Sequence, residues 1–281
     1  MSDATSNGSA ATEPNSTSAE GLEFYDLSHE LVHGMPEWPA ISGFDLHINQ
    51  SHANDGIYTQ EFDGVMHRGT HMDAPVHVLA DMPYITEYPM WRFFGTGVAV
   101  SIPKGKWGVV TAADLEAATP RIEPGDIVMI NTGFHHKWGD NPDYFAYGGG
   151  NYKEAAEWLV EREVKLVGVD VQANDHPLGT KLVAHGMGPS QPHLMDEYRE
   201  ETGREVLDDF PYWEPAHKIL MPNGIPGIEN VGGELDKVTG KRCTFAIFPW
   251  RWVHGEGCSV RVVAIVDPTD EFRLATGEEK A

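Results

Sequence analysis

Residues 67–77 read His-Arg-Gly-Thr-His-Met-Asp-Ala-Pro-Val-His. Three imidazoles and one carboxylate fall within this short stretch, at His67, His71, Asp73 and His77. Each is a residue type that binds a divalent metal or transfers a proton. A polar surface loop would explain a single histidine. Four ligand-type side chains interleaved with Gly, Thr and Pro favour a metal or catalytic site instead.

An extended backbone cannot bring these side chains to one metal. A strand rises about 3.3 Å per residue, which would place His67 and His71 roughly 13 Å apart. Metal–ligand bonds are only about 2.0–2.2 Å long. A helical turn would bring residues four apart to about 5–6 Å at Cβ. Gly69 also permits a sharp turn, and Pro75 restricts the path further, so the stretch is predicted to be compact.

The pattern His-x-Gly-Thr-His-x-Asp-x-Pro-x-His resembles the signature of the metal-dependent cyclase-like hydrolases. That group includes bacterial kynurenine formamidases and isatin hydrolases. The resemblance extends in order along most of the chain, from about Leu22 to Pro268. The residues that match the signature are His67, Gly69, Thr70, His71, Asp73, Pro75 and His77.

Patterning outside the signature predicts a sheet with flanking helices. Val98–Ile102 and Ile127–Ile130 are apolar runs typical of strands, and Tyr152–Arg162 has apolar residues at helical spacing. Another strand is predicted from Leu166, so the order strand, helix, strand suggests a crossover and a partly parallel sheet. The resemblance implies an α/β fold of the cyclase-like (swivelling β/β/α) type, with a mixed sheet core in a single domain.

The chain is predicted to hold one domain between two loose ends. Residues 1–21 lack the apolar content needed to offset chain entropy and are predicted to be a disordered tail. Residues 22–268 form the predicted domain, and residues 269–281 are again polar and loose. Within the domain, residues 173–215 are interpreted as an insertion that could be a lid, a pocket wall or an oligomer contact.

The resemblance implies a ligand set. It implies that His67, His71 and Asp73 bind one metal, and that Asp73, His217 and Glu229 bind a second one, with Asp73 as the bridge. Histidine and carboxylate ligands suit zinc or manganese. The identity of the metal, and whether one or two ions bind, stay open at this point.

The resemblance also assigns two residues beside the metal. His77 matches the family's catalytic histidine and is the candidate general acid and base, with orientation of a metal ligand as its alternative role. Trp38 lies in a Pro- and Gly-rich loop and either forms an aromatic wall for the substrate or simply packs. The other histidines are interpreted as surface or structural and are assigned no chemistry; they include His29, His33, His135, His136 and His254.

The resemblance implies a metal-dependent hydrolase. A metal-activated water would attack the carbonyl of a small aryl formamide or cyclic amide, and the C–N amide bond would break. Two alternatives remain: hydrolysis or ring closure of a lactone or dicarbonyl, and a metal- or ligand-binding protein without catalysis. The chain contains no Gly-x-Ser-x-Gly nucleophile elbow and no phosphate-binding loop followed by Lys and Ser or Thr, so a serine-hydrolase route is unsupported.

Charge restricts the partners. The 281 residues include 20 Lys and Arg against 43 Asp and Glu, a net charge of −23, which disfavours nucleic acid and anionic membranes. Plain solubility and adaptation to high salt both explain this acidity. Cys243 and Cys258 are expected to be reduced, and the N-terminus lacks the features of a secretory signal, so a cytoplasmic location is expected. The resemblance implies a homo-oligomer, a dimer or tetramer, that acts on a small molecule.

Overall fold

The structure is a computed structural model that describes residues 21–39 and 41–268. The predicted tails lie outside these residues, apart from Gly21. The strands are β1 (Glu23–Asp26), β2 (Asp45–Gln50), β3 (Thr59–Asp63), β4 (His71–Asp73), β5 (Phe94–Ser101), β6 (Val109–Val110), β7 (Ile127–Asn131), β8 (Gly150–Asn151), β9 (Leu166–Val169), β10 (Gly227–Glu229), β11 (Lys241–Ala246), β12 (Gly257–Ser259) and β13 (Val263–Val266). The α-helices are α1 (His52–Asp55), α2 (Ala112–Glu116), α3 (Pro142–Phe145), α4 (Lys153–Glu161), α5 (His193–Thr202), α6 (Val206–Asp209), α7 (Pro215–Leu220) and α8 (Leu235–Val238).

A nine-stranded mixed sheet organises these elements. Its order is β1, β13, β11, β5, β7, β9, β10, β4 and β12. The pairs β5–β7, β7–β9 and β9–β10 are parallel, and the remaining pairs are antiparallel. Helix α4 lies in the connection between the parallel neighbours β7 and β9, which is the predicted crossover. The predicted α/β class, with a mixed sheet and flanking helices, is confirmed.

Both faces of the central strands are buried. In β7, Ile127 and Met129 pack into the apolar cluster on one face, whereas Val128 and Ile130 pack into the cluster on the other. Successive side chains of a strand point to opposite faces, so a parallel strand covered on both sides reads as a continuous apolar run. Helices α2, α4 and α7 contribute buried side chains to the second cluster.

Local capping determines where helix α2 begins. The Thr111 hydroxyl accepts a hydrogen bond from the backbone N–H of Asp114 at 3.1 Å, and the Asp114 carboxylate accepts one from the Thr111 N–H at 2.8 Å. This reciprocal pair is a capping box. It satisfies two donors that the first turn of a helix otherwise leaves unpaired.

Residues 173–215 contribute most of a third apolar cluster. Leu178, Leu182, Leu194 and Phe210 are buried within it. Trp107 and Ala146, from the preceding part of the chain, are buried in the same cluster. The segment is therefore held on the sheet domain by side-chain packing as well as by its two chain connections.

Two other expectations have simple outcomes. Cys243 and Cys258 are free thiols, both buried, and burial raises the pKa of each to about 11. Across the described ranges, no helix has the length and apolar character needed to cross a membrane.

Candidate metal centre

The signature is compacted by a turn and a short strand. Gly69 lies in the left-handed region, with φ of +52°, and turns the chain between His67 and His71. His71–Asp73 is strand β4, and His77 ends a turn of 3₁₀ helix. The predicted compactness is confirmed, and of the two ways considered to achieve it, the structure uses the turn at Gly69 rather than a helical turn. The His67 and His71 ring centroids are 5.2 Å apart, and those of His67 and His77 are 3.9 Å apart.

Strand register brings a distant carboxylate to the same place. Strand β10 pairs antiparallel with β4, and Glu229 lies directly opposite His71. Residues opposite each other on antiparallel strands have Cβ atoms about 4.5–5.5 Å apart. His71 Nε2 is accordingly 3.4 Å from Glu229 Oε2 and 3.4 Å from Asp73 Oδ1.

Helix α7 supplies the fifth predicted ligand. His217 Nε2 lies 3.2 Å from Asp73 Oδ2 and 3.0 Å from Glu229 Oε1. On the other side of the same carboxylate, His67 Nδ1 lies 2.7 Å from Asp73 Oδ1. The structure thus brings all five predicted ligand residues together, with Asp73 at the centre, where its two oxygens face different imidazoles.

Asp175 is a residue of the site that sequence reasoning missed. Its buried carboxylate accepts hydrogen bonds from His217 Nδ1 at 2.5 Å and from the backbone N–H groups of Ala216 and His217 at 2.6 and 3.1 Å. It therefore orients the imidazole and caps the first turn of α7. No local pattern distinguishes Asp175 from the other acidic residues of this chain, because its partner is 42 positions away.

Hydrogen bonds to the ring also determine which nitrogen of His71 faces the cluster. Its Nδ1 lies 2.9 Å from the Gly69 carbonyl, an acceptor, so this nitrogen carries the proton and Nε2 keeps its lone pair. Asn230, with φ of +57°, donates from its amide to the same carbonyl at 2.8 Å and accepts at its own carbonyl from the Thr70 hydroxyl at 2.5 Å. The Gly-Thr pair of the signature is thereby held against the end of β10.

The donor set fits a divalent metal. His71 Nε2 and Asp73 Oδ1 are buried, face each other at 3.4 Å and have no hydrogen bond of good geometry among the described residues. Ligand atoms of His71, Asp73 and Glu229 lie within 4.8 Å of one another, as do those of His67, Asp73 and His77. Buried polar atoms normally have a partner, so atoms left open and converging on one point indicate a place for a cation.

The electrostatics of the cluster favour positive charge. Burial opposes ionisation of Asp73, but the imidazoles of His67 and His71 and hydrogen bonds from His217 hold the pKa of Asp73 well below its usual value. Burial opposes protonation of His217. Hydrogen bonds to the carboxylates of Asp175, Asp73 and Glu229 nevertheless raise the pKa of His217 well above its usual value. Protons therefore balance the buried carboxylates when no cation does, and metal binding would release them.

His77 differs from these ligand-type residues. Desolvation within the pocket, together with repulsion from the imidazoles of His67, His217 and His71, lowers the pKa of His77 to about 4 despite attraction from Asp73. The ring is therefore neutral at pH 7 and can accept a proton. It lies at the edge of the cluster, with its centroid 6.4 Å from that of His217.

A cavity of about 120 Å³ opens onto the cluster. Trp38, Ile41 and Phe145 form an apolar part of its wall, so the structure places Trp38 at the pocket. Lys181 and Glu214, from the 173–215 segment, line another part. The pKa of Glu214 is raised by burial, and its backbone is left-handed, with φ of +47°. The ammonium of Lys181 has no ion-pair or hydrogen-bond partner within the described residues.

The histidines to which no chemistry was assigned lie elsewhere. The His29 ring stacks on Trp138 with centroids 4.0 Å apart, His33 lies 3.1 Å from a carboxylate oxygen of Asp45, and His254 packs against a tyrosine. His135 and His136 form a separate cluster with Asp236.

Known proteins resemble this chain along most of its length. A family model described as "Putative cyclase" matches residues 25–176. The kynurenine formamidase of Bacillus mycoides (strain KBAB4) is 25% identical over 242 residues, which cover 86% of this chain and 96% of that protein. The kynurenine formamidase of Erythrobacter litoralis (strain HTCC2594) is 28% identical over 204 residues, covering 70% of this chain and 84% of that protein.

Solved structures share the fold. Isatin hydrolase A from Labrenzia aggregata, bound to benzyl benzoate, superposes with a TM-score of 0.68 at 22% sequence identity. The match covers 88% of this chain and 94% of that chain.

Proposed function

The chain belongs to the cyclase family, and on that premise we propose that it is a metal-dependent hydrolase that cleaves a C–N amide bond in an aryl formamide or a cyclic amide. One observation carries the proposal: a single cavity contains the convergent cluster around Asp73 and a neutral His77 beside it. The names of the similar kynurenine formamidases and isatin hydrolase point to the same type of bond.

The five clustered side chains would hold the metal. His67, His71 and Asp73 form one half of the set, and His217 and Glu229 complete the other half around the second oxygen of Asp73. We propose zinc or manganese, as one ion or two bridged by that carboxylate. When bound, such an ion would polarise the substrate carbonyl and lower the pKa of a water molecule toward about 7.

His77 would move the proton. Its neutral ring can take a proton from the attacking water at a ring nitrogen. The resulting imidazolium is close to the Asp73 carboxylate, which favours the charged form. The same ring can then deliver the proton to the leaving nitrogen. An amine leaves only when protonated, so this second transfer is what completes C–N cleavage.

The pocket walls would select the substrate. The apolar surface of Trp38 and Phe145 suits a planar aromatic part. Lys181, which has no ion-pair partner among the residues that the structure describes, offers a cation to an anionic or carbonyl group, and Glu214 offers a carboxyl group on the same segment. We therefore propose that residues 173–215 act as a pocket wall within one domain of residues 22–268.

The test separates proton transfer from metal binding. His77→Ala should lose most turnover of an aryl formamide and of an isatin-type lactam while it retains the wild-type metal content and melting temperature. His193→Ala, which replaces an exposed histidine on α5, is the matched control. Full turnover in His77→Ala would refute the assigned role. Loss of metal together with turnover would instead make His77 a ligand. Activity toward lactones alone would favour the alternative ester-type reaction.

We also propose that the protein forms a dimer or tetramer. The hairpin of β2 and β3 exposes Ile48 and Phe62 at 56% and 53%, with Tyr58 beside them at 50%. Apolar side chains grouped on a surface hairpin favour contact with another copy. Light scattering should give a multiple of the chain mass, and Phe62→Arg should reduce it. A monomeric wild type at micromolar concentration would refute the proposal.

A further inference from the structure

A second group of metal-ligand residues lies outside the pocket. His135 and His136 occupy a 3₁₀ turn, Phe134–Lys137, that follows β7, and Asp236 lies in α8. Ligand atoms of the three residues lie within 4.8 Å of one another. His135 Nε2 is 3.3 Å from Asp236 Oδ1, and His136 Nε2 is 3.0 Å from Asp236 Oδ2. Two imidazoles thus face the two oxygens of one carboxylate.

The buried member of this group is held with its free nitrogen toward the others. His135 Nδ1 lies 2.9 Å from Asp170 Oδ2. Asp170 is itself fully buried and accepts hydrogen bonds from the Thr132 N–H, the Thr132 hydroxyl and the Gly133 N–H at 2.9, 2.6 and 2.9 Å. A carboxylate so well satisfied acts as a fixed acceptor, so Nδ1 donates to it. Nε2 then presents its lone pair to the cluster.

That nitrogen has no hydrogen bond. His135 is 7% exposed, and its Nε2 is buried without a hydrogen-bond partner in the described part of the chain, although Asp236 lies at ion-pair distance. A proton on this nitrogen would pair it with Asp236, as the contact of 3.0 Å pairs the exposed His136; without that proton the buried atom has no partner. A cation between the three side chains would satisfy it.

The carboxylate of Asp236 is also oriented by a hydrogen bond from outside the group. Asn131 donates from its side-chain amide to Asp236 Oδ1 at 3.0 Å. The same amide nitrogen also donates to the hydroxyl oxygen of Thr239 at 2.9 Å, which fixes the orientation of the amide. Metal-binding imidazoles and carboxylates in proteins characteristically have such partners, which orient them and tune their basicity. Here Asp170 is such a partner for His135, and Asn131 is such a partner for Asp236.

We propose that His135, His136 and Asp236 form a second divalent-metal site, distinct from the centre around Asp73. Two imidazoles and one carboxylate select a transition ion such as Zn²⁺ or Co²⁺ over Mg²⁺ or Ca²⁺, which prefer oxygen ligands. The side chains of His136 and Asp236 are 61% and 55% exposed, so water completes the coordination. The ion ties the turn after β7 to helix α8, which follows the strand that carries Glu229.

The experiment isolates the zinc bound at this site as a difference between wild type and variants. The metal-loaded protein is dialysed to equilibrium against increasing Zn²⁺, and bound zinc per chain is compared among the wild type, His136→Ala, Asp236→Asn and His193→Ala. Asp236→Asn keeps an oxygen that can accept from Asn131. Both cluster variants should bind one zinc fewer per chain than the wild type, whereas His193→Ala should match it. Turnover should remain within about twofold in all four, because these residues lie outside the pocket.

A spectroscopic readout accompanies the count. Co²⁺ titrated into wild type that carries zinc only at the centre around Asp73 should produce visible d–d bands that neither cluster variant gives. The side chains of His136 and Asp236 are mainly exposed, so the variants should retain the wild-type circular dichroism spectrum. Retention of the extra zinc, or of the cobalt bands, in either folded variant would overturn the three-residue site.

Discussion

The replacement of Asp175 by Asn tests how strongly a residue that would not itself bind the metal controls the centre. Asp175 Oδ1 accepts from the Ala216 N–H, and Oδ2 accepts from both the backbone and the Nδ1 of His217. An asparagine has only one oxygen, so its NH₂ group must face donors on one side. If NH₂ faces His217, Nδ1 must become the acceptor and the proton moves to Nε2, the nitrogen that points to Asp73 and Glu229.

The expected loss can be estimated from this geometry. Removing a partner that orients a metal-bound histidine typically weakens metal binding about 10- to 100-fold, or about 1.4–2.8 kcal/mol. Proton competition partly offsets the loss. Asp175 raises the pKa of His217, so the wild type must release a proton from His217 to bind metal. In the variant the pKa of His217 is lower, so a smaller fraction of the protein carries that proton and competes with the metal. The ratio of variant to wild-type Kd should therefore be smaller at pH 6 than at pH 8.

The assay is a competition titration against a chelator, with each protein first stripped of metal. Asp208→Asn, a change at an exposed carboxylate in helix α6, is the matched control and should leave affinity unchanged. Affinity within about threefold of wild type in folded Asp175→Asn would refute the reasoning. A loss that grows at low pH would refute the proton-competition part alone.

Three further results are expected. Gly69→Ala should lower the free energy of unfolding by about 1–2 kcal/mol in urea, because Gly69 has a left-handed backbone and the new Cβ would lie 2.8 Å from a terminal carbon of Leu31. An unchanged midpoint of urea unfolding would contradict this. Burial lowers the pKa of His176 to about 4 from 6.5, so the unfolded chain binds the proton first. The contribution of His176 to the free energy of unfolding is therefore fully present above pH 6.5 and falls by about 3 kcal/mol as the pH drops toward 4. His176→Gln should make the free energy of unfolding less dependent on pH over this range. Trp38→Ala should raise KM for aromatic amides more than it lowers kcat. Lys181→Met should raise KM only for substrates with an anionic group. Equal effects of each variant on all substrates would contradict the aromatic-wall role of Trp38 and the anion-binding role of Lys181.

The spacing of residues in the chain predicted the local parts of this molecule. The offsets of His67, His71 and Asp73 required a compact path, and Gly69 was correctly identified as a place where the chain can turn. The capping box of Thr111 is local in the same way, since its two partners are three residues apart. Such features depend on backbone geometry within one or two turns, which short stretches of sequence specify.

Other parts of the candidate site were not readable without the fold. The resemblance named His217 and Glu229, but their placement depends on the antiparallel register of β10 with β4. A slip of one residue would turn Glu229 to the other face of the sheet. The contact between Asp175 and His217 likewise depends on how helix α7 packs. No local pattern encodes either distance.

The contrast is sharpest for the second cluster. In the sequence, His135 and His136 were two of many histidines, and Asp236, about a hundred residues further along, was one of many carboxylates. What the sequence alone determined is which side chains carry ligand chemistry and which short stretches must turn. Only the tertiary structure decided which of them meet, because strand order, register and burial bring distant side chains together and fix which nitrogen each imidazole presents.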